Sequence, residues 1–328
     1  MHDPVTVCGD SLRLGVRRHR LFESNLPLVG TPCWHDRPAP PVAVYPRTAG
    51  MMAGTSVRDE PTVFYLGSHM PHWLGLPAVA VPLFVSDRRL RGRRTLPRAN
   101  TVWALDSGGF TELSRYGTWE TGPSPAAYVA QVRRYRDQIG RLTWAAPQDW
   151  MCEPGILAKT GLTVAAHQHH TVVNYLRLRD LAPELPIIPV VQGWSTGDYL
   201  RCVDRYAAHG VDLTSAPLVG VGSVCRRQST VEVQEILTAL HQAGLTRLHG
   251  FGVKTLGLAR YADLLTSADS MAWSSQARHR PPLPGCRHTT CANCPRYALH
   301  WRTRVLATID HATTQPALFG PSLRGWAA

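Results

Sequence analysis

From residue 61 onward the chain alternates short apolar runs with longer amphipathic segments. The apolar runs end in glycine or polar residues, as strands do, and the segments between them repeat apolar residues at the helical period. This alternation predicts βα units around a parallel sheet. Eight runs have the pattern of a strand: residues 63–66, 78–85, 102–105, 142–145, 187–191, 218–221, 248–253 and 267–271. Eight units suit a (β/α)8 TIM barrel, so we expect the α/β class.

Three of the intervening helices have clear sequence signals. The first begins with Ser124 as a cap and Pro125 at the first helical position. The second carries an apolar stripe from Tyr199 onward. The third begins with the capping-box pattern of Ser229 and Glu232. These stripes predict helices that pack on the sheet.

Composition divides the chain into three parts. Residues 1–58 are rich in proline, glycine and arginine, which predicts a basic, irregular N-terminal extension. We assign residues 59–280 to the barrel. Residues 281–328 contain a group of cysteines and are expected to form a small C-terminal zinc-binding subdomain.

Five of the eight cysteines are scattered, and the other three crowd together at Cys286, Cys291 and Cys294. In a reducing compartment such a group is typical of metal ligation rather than of disulfides. Three thiolates and one imidazole make a closed tetrahedral set, so we expect Zn²⁺ as a structural cofactor. His311 is the expected fourth ligand, and His300 and His288 are the alternatives.

The formal net charge of +12 at pH 7 suits a polyanionic partner. A genomic bias toward arginine explains part of this charge equally well. Six arginines between residues 88 and 98 follow the second predicted strand, where they either bind phosphates or form a solvated loop. No run approaches the ~20 apolar residues of a membrane span and no signal core is seen, so we expect a cytoplasmic protein, in the host cytoplasm if phage-encoded.

Polar residues and glycines follow the predicted strands at their carboxyl ends, where barrel enzymes carry their reactive groups. A single aspartate in such a position is more often a helix cap. Three aspartates, with glycines beside them that let a planar ligand approach the backbone, favour an active site. The candidate residues are Asp106, Ser107, Gly108, Gly109, Phe110, Asp149, Gln192, Gly193, Gly222, Ser223, Gly250 and Asp269.

Three of these segments carry a family resemblance. Residues 106–110, Asp-Ser-Gly-Gly-Phe, resemble the hallmark of tRNA-guanine transglycosylases, and residues 191–193 resemble their Val-Gln-Gly. Residues 268–270, Ala-Asp-Ser, resemble the Phe-Asp-Ser segment that holds the nucleophile in the archaeal branch. The order and approximate spacing agree over about residues 60–311.

Within this superfamily, residues 190–194 and the compact size look most like the DpdA-type 7-deazaguanine DNA transglycosylases. After residues 221–224 the chain continues with Cys225 and Arg226, where the bacterial tRNA enzymes have Gly-Glu. This departure disfavours tRNA as the substrate.

The resemblance implies roles for individual residues. Asp269 is the nucleophile that forms a covalent glycosyl ester, and Asp106 is its acid/base partner. Asp149 accepts hydrogen bonds from the guanine edge and Gln192 donates to its carbonyl oxygen, with further contacts from Ser107 and the Gly222 region. Phe110 stacks on the base, with His249 or Phe251 on the opposite side.

The expected function is therefore a transglycosylase that exchanges guanine in DNA for a 7-deazaguanine base, such as 7-cyano-7-deazaguanine, by double displacement. Its expected partners are DNA, the free base and partner proteins of a DNA-modification system. The alternatives are the same chemistry on tRNA, a catalytically silent nucleic-acid-binding barrel, or a hydrolase that only removes the base.

Overall fold

The computed structural model describes residues 5–8, 19–22 and 61–314, with side chains for residues 61–309. Near the N-terminus, strands β1 (Val5–Cys8) and β2 (His19–Phe22) pair antiparallel, with Val5 opposite Phe22. The extension predicted as irregular therefore contains one regular strand pair, and the rest of residues 1–58 lies outside the described residues. By its contacts the chain divides into two units, Met1–Ser56 and Val57–Ala328.

The second unit is a mixed α/β structure built on eight parallel strands. They are β3 (Val63–Ser68), β4 (Leu83–Ser86), β5 (Trp103–Asp106), β6 (Leu142–Ala145), β7 (Val190–Val191), β8 (Val219–Val221), β9 (Leu248–Gly250) and β10 (Ser267–Ser270). Their order in the sheet is β6-β5-β4-β3-β10-β9-β8-β7. A parallel bridge between Ala145 of β6 and Ile187, in the segment just before β7, connects the two ends of the sheet. The sheet is thus curled in a TIM-like arrangement, and the predicted α/β class is confirmed.

Each predicted strand coincides with an observed one, although most are shorter than predicted. The largest difference concerns residues 78–81, which form a turn and a bend before β4. Pro82 has no N–H to donate to a neighbouring strand, so regular pairing begins only after it. Val79 is nevertheless fully buried. The apolar run there reflects packing rather than strand structure.

Helices follow most of the strands. They are α1 (Asp87–Leu90), α2 (Gly109–Tyr116), α3 (Pro125–Gln138), α4 (Pro154–Thr160), α5 (Val164–Leu181), α6 (Thr196–Ala208), α7 (Val231–Gln242), α8 (Thr255–Tyr261), α9 (Ala272–Arg278) and α10 (Pro295–Thr314). Within the described part of the chain, none of these helices has the length and apolar character that crossing a bilayer requires.

The helix caps agree only partly with the sequence signals. The cap of α3 is confirmed, because the Ser124 side chain accepts from the N–H of Ala127. The capping box predicted at the start of α7 is wrong: that helix is capped by Thr230, which makes no side-chain capping bond. A reciprocal box forms instead at α6, between Ser195 and Asp198.

Aromatic and aliphatic side chains fill the interior of the curled sheet: Tyr65, Phe84, Trp144, Ile188, Leu218 and the partly buried Phe251. The indole N–H of Trp144 donates to the Tyr65 hydroxyl at 3.2 Å, so the polar atoms of this layer are paired with each other. Phe84 and Phe251 also line the cavity above this layer. The interior layer therefore forms the floor of the cavity at the carboxyl ends of the strands.

The capping box of α6 gives a stability prediction. Replacing Ser195→Ala removes the acceptor for the N–H of Asp198 and should lower the free energy of unfolding by about 1 kcal/mol. Chemical denaturation at neutral pH measures this change. Thr196→Ala in the same turn is the matched control and should stay within about 0.5 kcal/mol of wild type; equal losses in both variants would contradict the role of the cap.

Candidate active site

A cavity of about 620 Å³ opens at the carboxyl ends of the parallel strands. This is the end at which TIM-like barrels carry their chemistry. Asp106 at the end of β5 and Asp269 on β10 face this one cavity, although they are distant in sequence. Nine sequence-predicted site residues line it: Asp106, Ser107, Gly109, Phe110, Asp149, Gln192, Gly222, Ser223 and Asp269.

A second cavity, of about 660 Å³, lies toward the opposite ends of the strands. Its walls include Val63, Thr266 and Pro189, which precede or begin strands, and its acidic side chain is Asp212. The first cavity brings four carboxyl groups together, because Glu153 joins the three predicted aspartates. The chemistry of paired acids therefore points to the first cavity, although the second is slightly larger.

Asp106 is held at the turn from β5 into α2. Gly108 adopts the left-handed backbone, with φ of 84°, and its N–H donates to Asp106 Oδ1 at 3.0 Å. Removal from water raises the pKa of Asp106, and the negative charge of Asp269 raises it further, whereas hydrogen bonds from Gly108 and Ser86 lower it. Asp106 thus keeps its proton to a higher pH than a solvated aspartate, as a general acid requires.

Asp269 is anchored by the loop that follows β9. The N–H of Gly252 donates to Asp269 Oδ1 at 2.9 Å. Gly252 has a φ of 69°, and a Cβ there would lie 2.3 Å from the sulfur of Cys225, so this position accepts only glycine without rearrangement. The loop therefore fixes one carboxylate oxygen of Asp269 through a backbone donor.

A chain of buried hydrogen bonds connects Asp149, Gln192 and Ser223. Gln192 Nε2 donates to Asp149 Oδ2 at 2.5 Å, and the Ser223 hydroxyl donates to Gln192 Oε1 at 2.7 Å. Ser223 has a φ of 57°, unusual for a residue with a side chain, and its Oγ also accepts from the N–H of Cys152 at 2.7 Å. These bonds fix the orientation of the Gln192 amide.

Burial raises the pKa of Asp149 to about 7, with smaller increases from the charges of Asp106 and Glu153, while the hydrogen bond from Gln192 lowers it. Two glycines make room for this group. A Cβ on Gly109 would lie 3.0 Å from Asp149 Oδ1, and one on Gly222 would lie 2.1 Å from Gln192 Nε2. Close approach, rather than flexibility, explains these two glycines.

Four predicted site residues do not line the cavity: Gly108, Gly193, His249 and Gly250. Gly108 serves the turn, Gly193 lies against α6, where a Cβ would meet Asp198 at 2.7 Å, and a Cβ on Gly250 would meet Val253 at 2.8 Å. His249 is fully buried in the barrel interior, with its ring centroid 4.5 Å from that of Trp144. It is therefore not placed to stack on a base, whereas Phe251, the alternative, does line the cavity.

The mouth of the cavity carries aromatic and basic groups. Phe110 is 45% exposed, and the guanidinium of Arg226 lies 5.1 Å from the centre of its ring. Of the arginine cluster at 88–98, Arg88 and Arg89 line the cavity. Arg88 and Arg91 both bind the buried carboxylate of Glu112, at 2.5 and 2.8 Å. Part of the cluster is thus paired within the protein.

Among the cavity residues that the sequence prediction missed, Ser86 and Glu153 matter most for the acids, and a sequence signal for both exists. Ser86, which bonds to Asp106, ends β4, one residue beyond the predicted strand end. Glu153 lies in the same loop as Asp149, and its Oε2 is 3.2 Å from the Ser223 Oγ. Both lie at or after the carboxyl end of a strand, the criterion that identified the other residues.

A separate cluster near the C-terminus could hold a metal ion. Its four members are Cys286, His288, Cys291 and Cys294, whose potential ligand atoms all lie within 4.8 Å of one another. Two of the distances between these ligand atoms are 3.9 Å, from Cys286 Sγ to Cys294 Sγ, and 3.1 Å, from His288 Nε2 to Cys291 Sγ. Such distances between ligand atoms fit tetrahedral coordination of one metal ion by sulfur and nitrogen.

The fourth position of this cluster differs from the preferred expectation. His288, one of the alternatives, completes the set of four donors, whereas the side chain of His311 lies outside the described residues. Because His288 is two residues from Cys286, the loop itself delivers the imidazole, and a more distant histidine is not needed for four-coordination.

The fold and site define an α/β protein of the TIM-like class with an acidic cavity at the carboxyl ends of its strands. Residues 61–328 match the family model DpdA, described as DeoxyPurine in DNA protein A, and the chain belongs to this family. The match confirms the resemblance to DpdA-type proteins. It supports a transglycosylase related to deazapurines in DNA as the general class of activity. No curated protein sequence matches the chain.

The raised pKa of Asp149 predicts a pH-dependent stability. The folded protein keeps a proton on Asp149 up to about pH 7, whereas an unfolded aspartate releases it near 3.8, so the stability contribution is lost as pH rises between these values. From pH 5 to pH 7, wild type should lose about 2 kcal/mol of unfolding free energy relative to Asp149→Asn. Urea denaturation at both pH values measures this difference.

The control for this experiment is Asp137→Asn, which removes an exposed carboxylate. The pKa of Asp137 is lowered by its hydrogen bond to Arg136, so its titration lies below this pH range. Parallel stability profiles for wild type and Asp149→Asn would mean that Asp149 is ionised throughout.

The metal cluster gives a second prediction. Replacing His288→Ala should remove most of the bound metal and lower the melting temperature, because binding energy of a structural ion contributes to folding. Elemental analysis and thermal denaturation measure the two effects. His300→Ala and His311→Ala should leave the metal content unchanged; loss of metal in His311→Ala with retention in His288→Ala would reverse the assignment.

Proposed function

We propose that this protein exchanges guanine in DNA for a 7-deazaguanine base, such as 7-cyano-7-deazaguanine, through a covalent glycosyl ester on Asp269. The observation that carries the proposal is that Asp106 and Asp269, which are far apart in the sequence, face the same cavity. Membership of the DpdA family supports the same class of activity. A double displacement needs two carboxyl groups on either side of one sugar.

In the first step Asp269 attacks C1′ of a deoxyguanosine while Asp106 donates a proton to the departing base. In the second step the incoming base loses its N9 proton to Asp106, and N9 attacks C1′ and displaces Asp269. Asp106 suits both duties because its pKa is raised by burial and by the Asp269 charge. The reaction exchanges one base for another and requires no nucleotide triphosphate.

Asp149 and Gln192 are proposed to recognise the base. Guanine and 7-deazaguanines share the same pyrimidine edge, with N1 and amino protons beside a carbonyl oxygen. The Asp149 carboxylate accepts from the two donors, and the Gln192 amide, already oriented by Ser223, donates to the carbonyl. Donors placed against Asp149 favour its ionised form, which offsets the effect of burial.

The mouth of the cavity suits a nucleotide that has left the base stack. Phe110 offers an exposed ring for stacking, and Arg226 beside it offers a charge for a phosphate. We assign Cys286, His288, Cys291 and Cys294 to a structural Zn²⁺, which would stabilise the segment before α10 and take no part in the reaction.

Incubation with labelled guanine and either DNA or unmodified tRNA tests the proposal. Wild type should incorporate label into DNA, and Asp269→Asn should lower the rate by on the order of 10⁴-fold or more. Asp106→Asn should lower it by about 10²–10⁴-fold. Unlabelled 7-cyano-7-deazaguanine should compete with the label.

Asp212→Asn is the control, because this exposed residue lines the second cavity, at the opposite ends of the strands. It should retain the wild-type rate. Label in tRNA alone would overturn DNA as the substrate, and release of guanine without uptake of a replacement would indicate a hydrolase. Equal activity of wild type and Asp269→Asn would refute the covalent route.

A further inference from the structure

A buried histidine lies directly behind Asp269. His249 has no exposed surface, and its Nδ1 is 2.8 Å from the Ser267 hydroxyl. Its other ring nitrogen, Nε2, lies 3.3 Å from Asp269 Oδ1 and is a buried polar atom without a hydrogen-bond partner in the present geometry. A buried donor without a partner costs about 1–3 kcal/mol, so a role for this atom is expected.

Strand pairing produces this arrangement. In the parallel pair β9 and β10, His249 is in register with Ser267. Side chains two residues apart on a strand point to the same face, so Ser267 and Asp269 lie on the same side of the sheet. The imidazole of His249 therefore lies between the hydroxyl below and the carboxylate above.

Aromatic rings enclose the imidazole. The ring centroids of Trp144 and Phe251 lie 4.5 and 4.7 Å from that of His249, and those of Phe84 and Tyr65 lie 5.9 and 6.2 Å away. These rings keep water from Nε2. Asp269 Oδ1 is thus the acceptor close to this nitrogen, and a small rotation of either group would complete a hydrogen bond.

We infer that His249 is a positioning residue for Asp269, an assignment that rests on the proposed function. We assign the Ser267 hydroxyl as the donor to Nδ1, which places a ring proton on Nε2, facing Asp269 Oδ1. Together with the N–H of Gly252, this gives Oδ1 two donors. Oδ2 is then the oxygen that attacks the sugar.

The two donors act on both steps of the exchange. When the Oδ2–C1′ bond forms, the C1′–N9 bond breaks and its electron pair leaves with guanine, which receives a proton from Asp106. When N9 of the incoming base attacks C1′ and its proton passes to Asp106, the Oδ2–C1′ bond breaks and its electron pair returns to Asp269. Donors on Oδ1 stabilise the returning negative charge, so the ester should break down faster when His249 is present.

The arrangement can be tested without turnover. In resting wild-type protein with ¹⁵N-labelled histidine, NMR should show His249 as the neutral tautomer protonated on Nε2; its signal is identified by its absence in His249→Gln. Ser267→Ala should change the tautomer balance, and Asp269→Asn should shift the Nε2 resonance. A tautomer protonated on Nδ1, or no response to Asp269→Asn, would overturn the inference.

Kinetics test the consequence for the reaction. His249→Leu should lower kcat by about tenfold to a hundredfold, with KM for DNA within about twofold of wild type, and should accumulate the covalent protein–DNA ester. His249→Gln, whose amide can replace the Nε2 donor, should recover part of kcat. Tyr65→Phe is the matched control, since it keeps a ring against His249 and removes only a hydroxyl whose partners are Trp144 and Thr143.

The proposed function and the positioning role of His249 can be refuted independently of each other. If wild type shows no exchange but NMR shows the Nε2 tautomer coupled to Asp269, the proposed function fails and the positioning stands. If wild type exchanges bases and His249→Leu, His249→Gln and Ser267→Ala all turn over at the wild-type rate, the positioning role fails and the proposed function stands. Should His249→Leu not fold, His249→Gln and Ser267→Ala decide the question.

Discussion

The site depends on the repulsion between carboxyl groups that share a space poor in water. Burial raises the pKa of Asp106, and the charge of Asp269 adds to this effect. Two acids in such proximity cannot both ionise without cost, so one tends to keep a proton while the other is free to act as a base or nucleophile. Burial is the larger cause, and the charge of Asp269 adds to a shift in the pKa of Asp106 that the cavity already produces. In the proposed exchange this shift separates the proton donor from the nucleophile.

Backbone N–H groups keep this unfavourable pairing in place. Gly108 donates to Asp106 and Gly252 donates to Asp269, and both glycines adopt left-handed backbone that other residues rarely accept. Because the donors belong to turns that follow β5 and β9 of one continuous sheet, the parallel pairing of strands fixes the two carboxyl groups relative to each other. The fixed N–H groups of these turns thus replace some of the hydrogen bonds to water that the two acids lose on burial.

The sequence predicts the eight strands and the set of acids well, because apolar periodicity and position after a strand are local signals. It fails where long-range packing decides. Pro82 shortens a strand, and His249, one of the two residues expected to stack on the base, lies in the interior because strand register places it beside Ser267, whereas the other, Phe251, lines the cavity. The fourth ligand of the metal cluster is a different case, because His288 lies two residues from Cys286 and the sequence prediction prefers the more distant His311 to this local candidate.

The pairing of Arg88 and Arg91 with Glu112 has a consequence for binding to a polyanion. Counterions are released only by side chains that neutralise phosphates, and these two guanidinium groups already share a carboxylate; Asp87 lies 3.6 Å from Arg91 as well. Counting all six arginines between residues 88 and 98 therefore overestimates how strongly this segment would make the binding of a polyanion depend on ionic strength. The main effect of Arg88 and Arg91 is mechanical, since they fasten their segment to α2, the helix that follows Asp106.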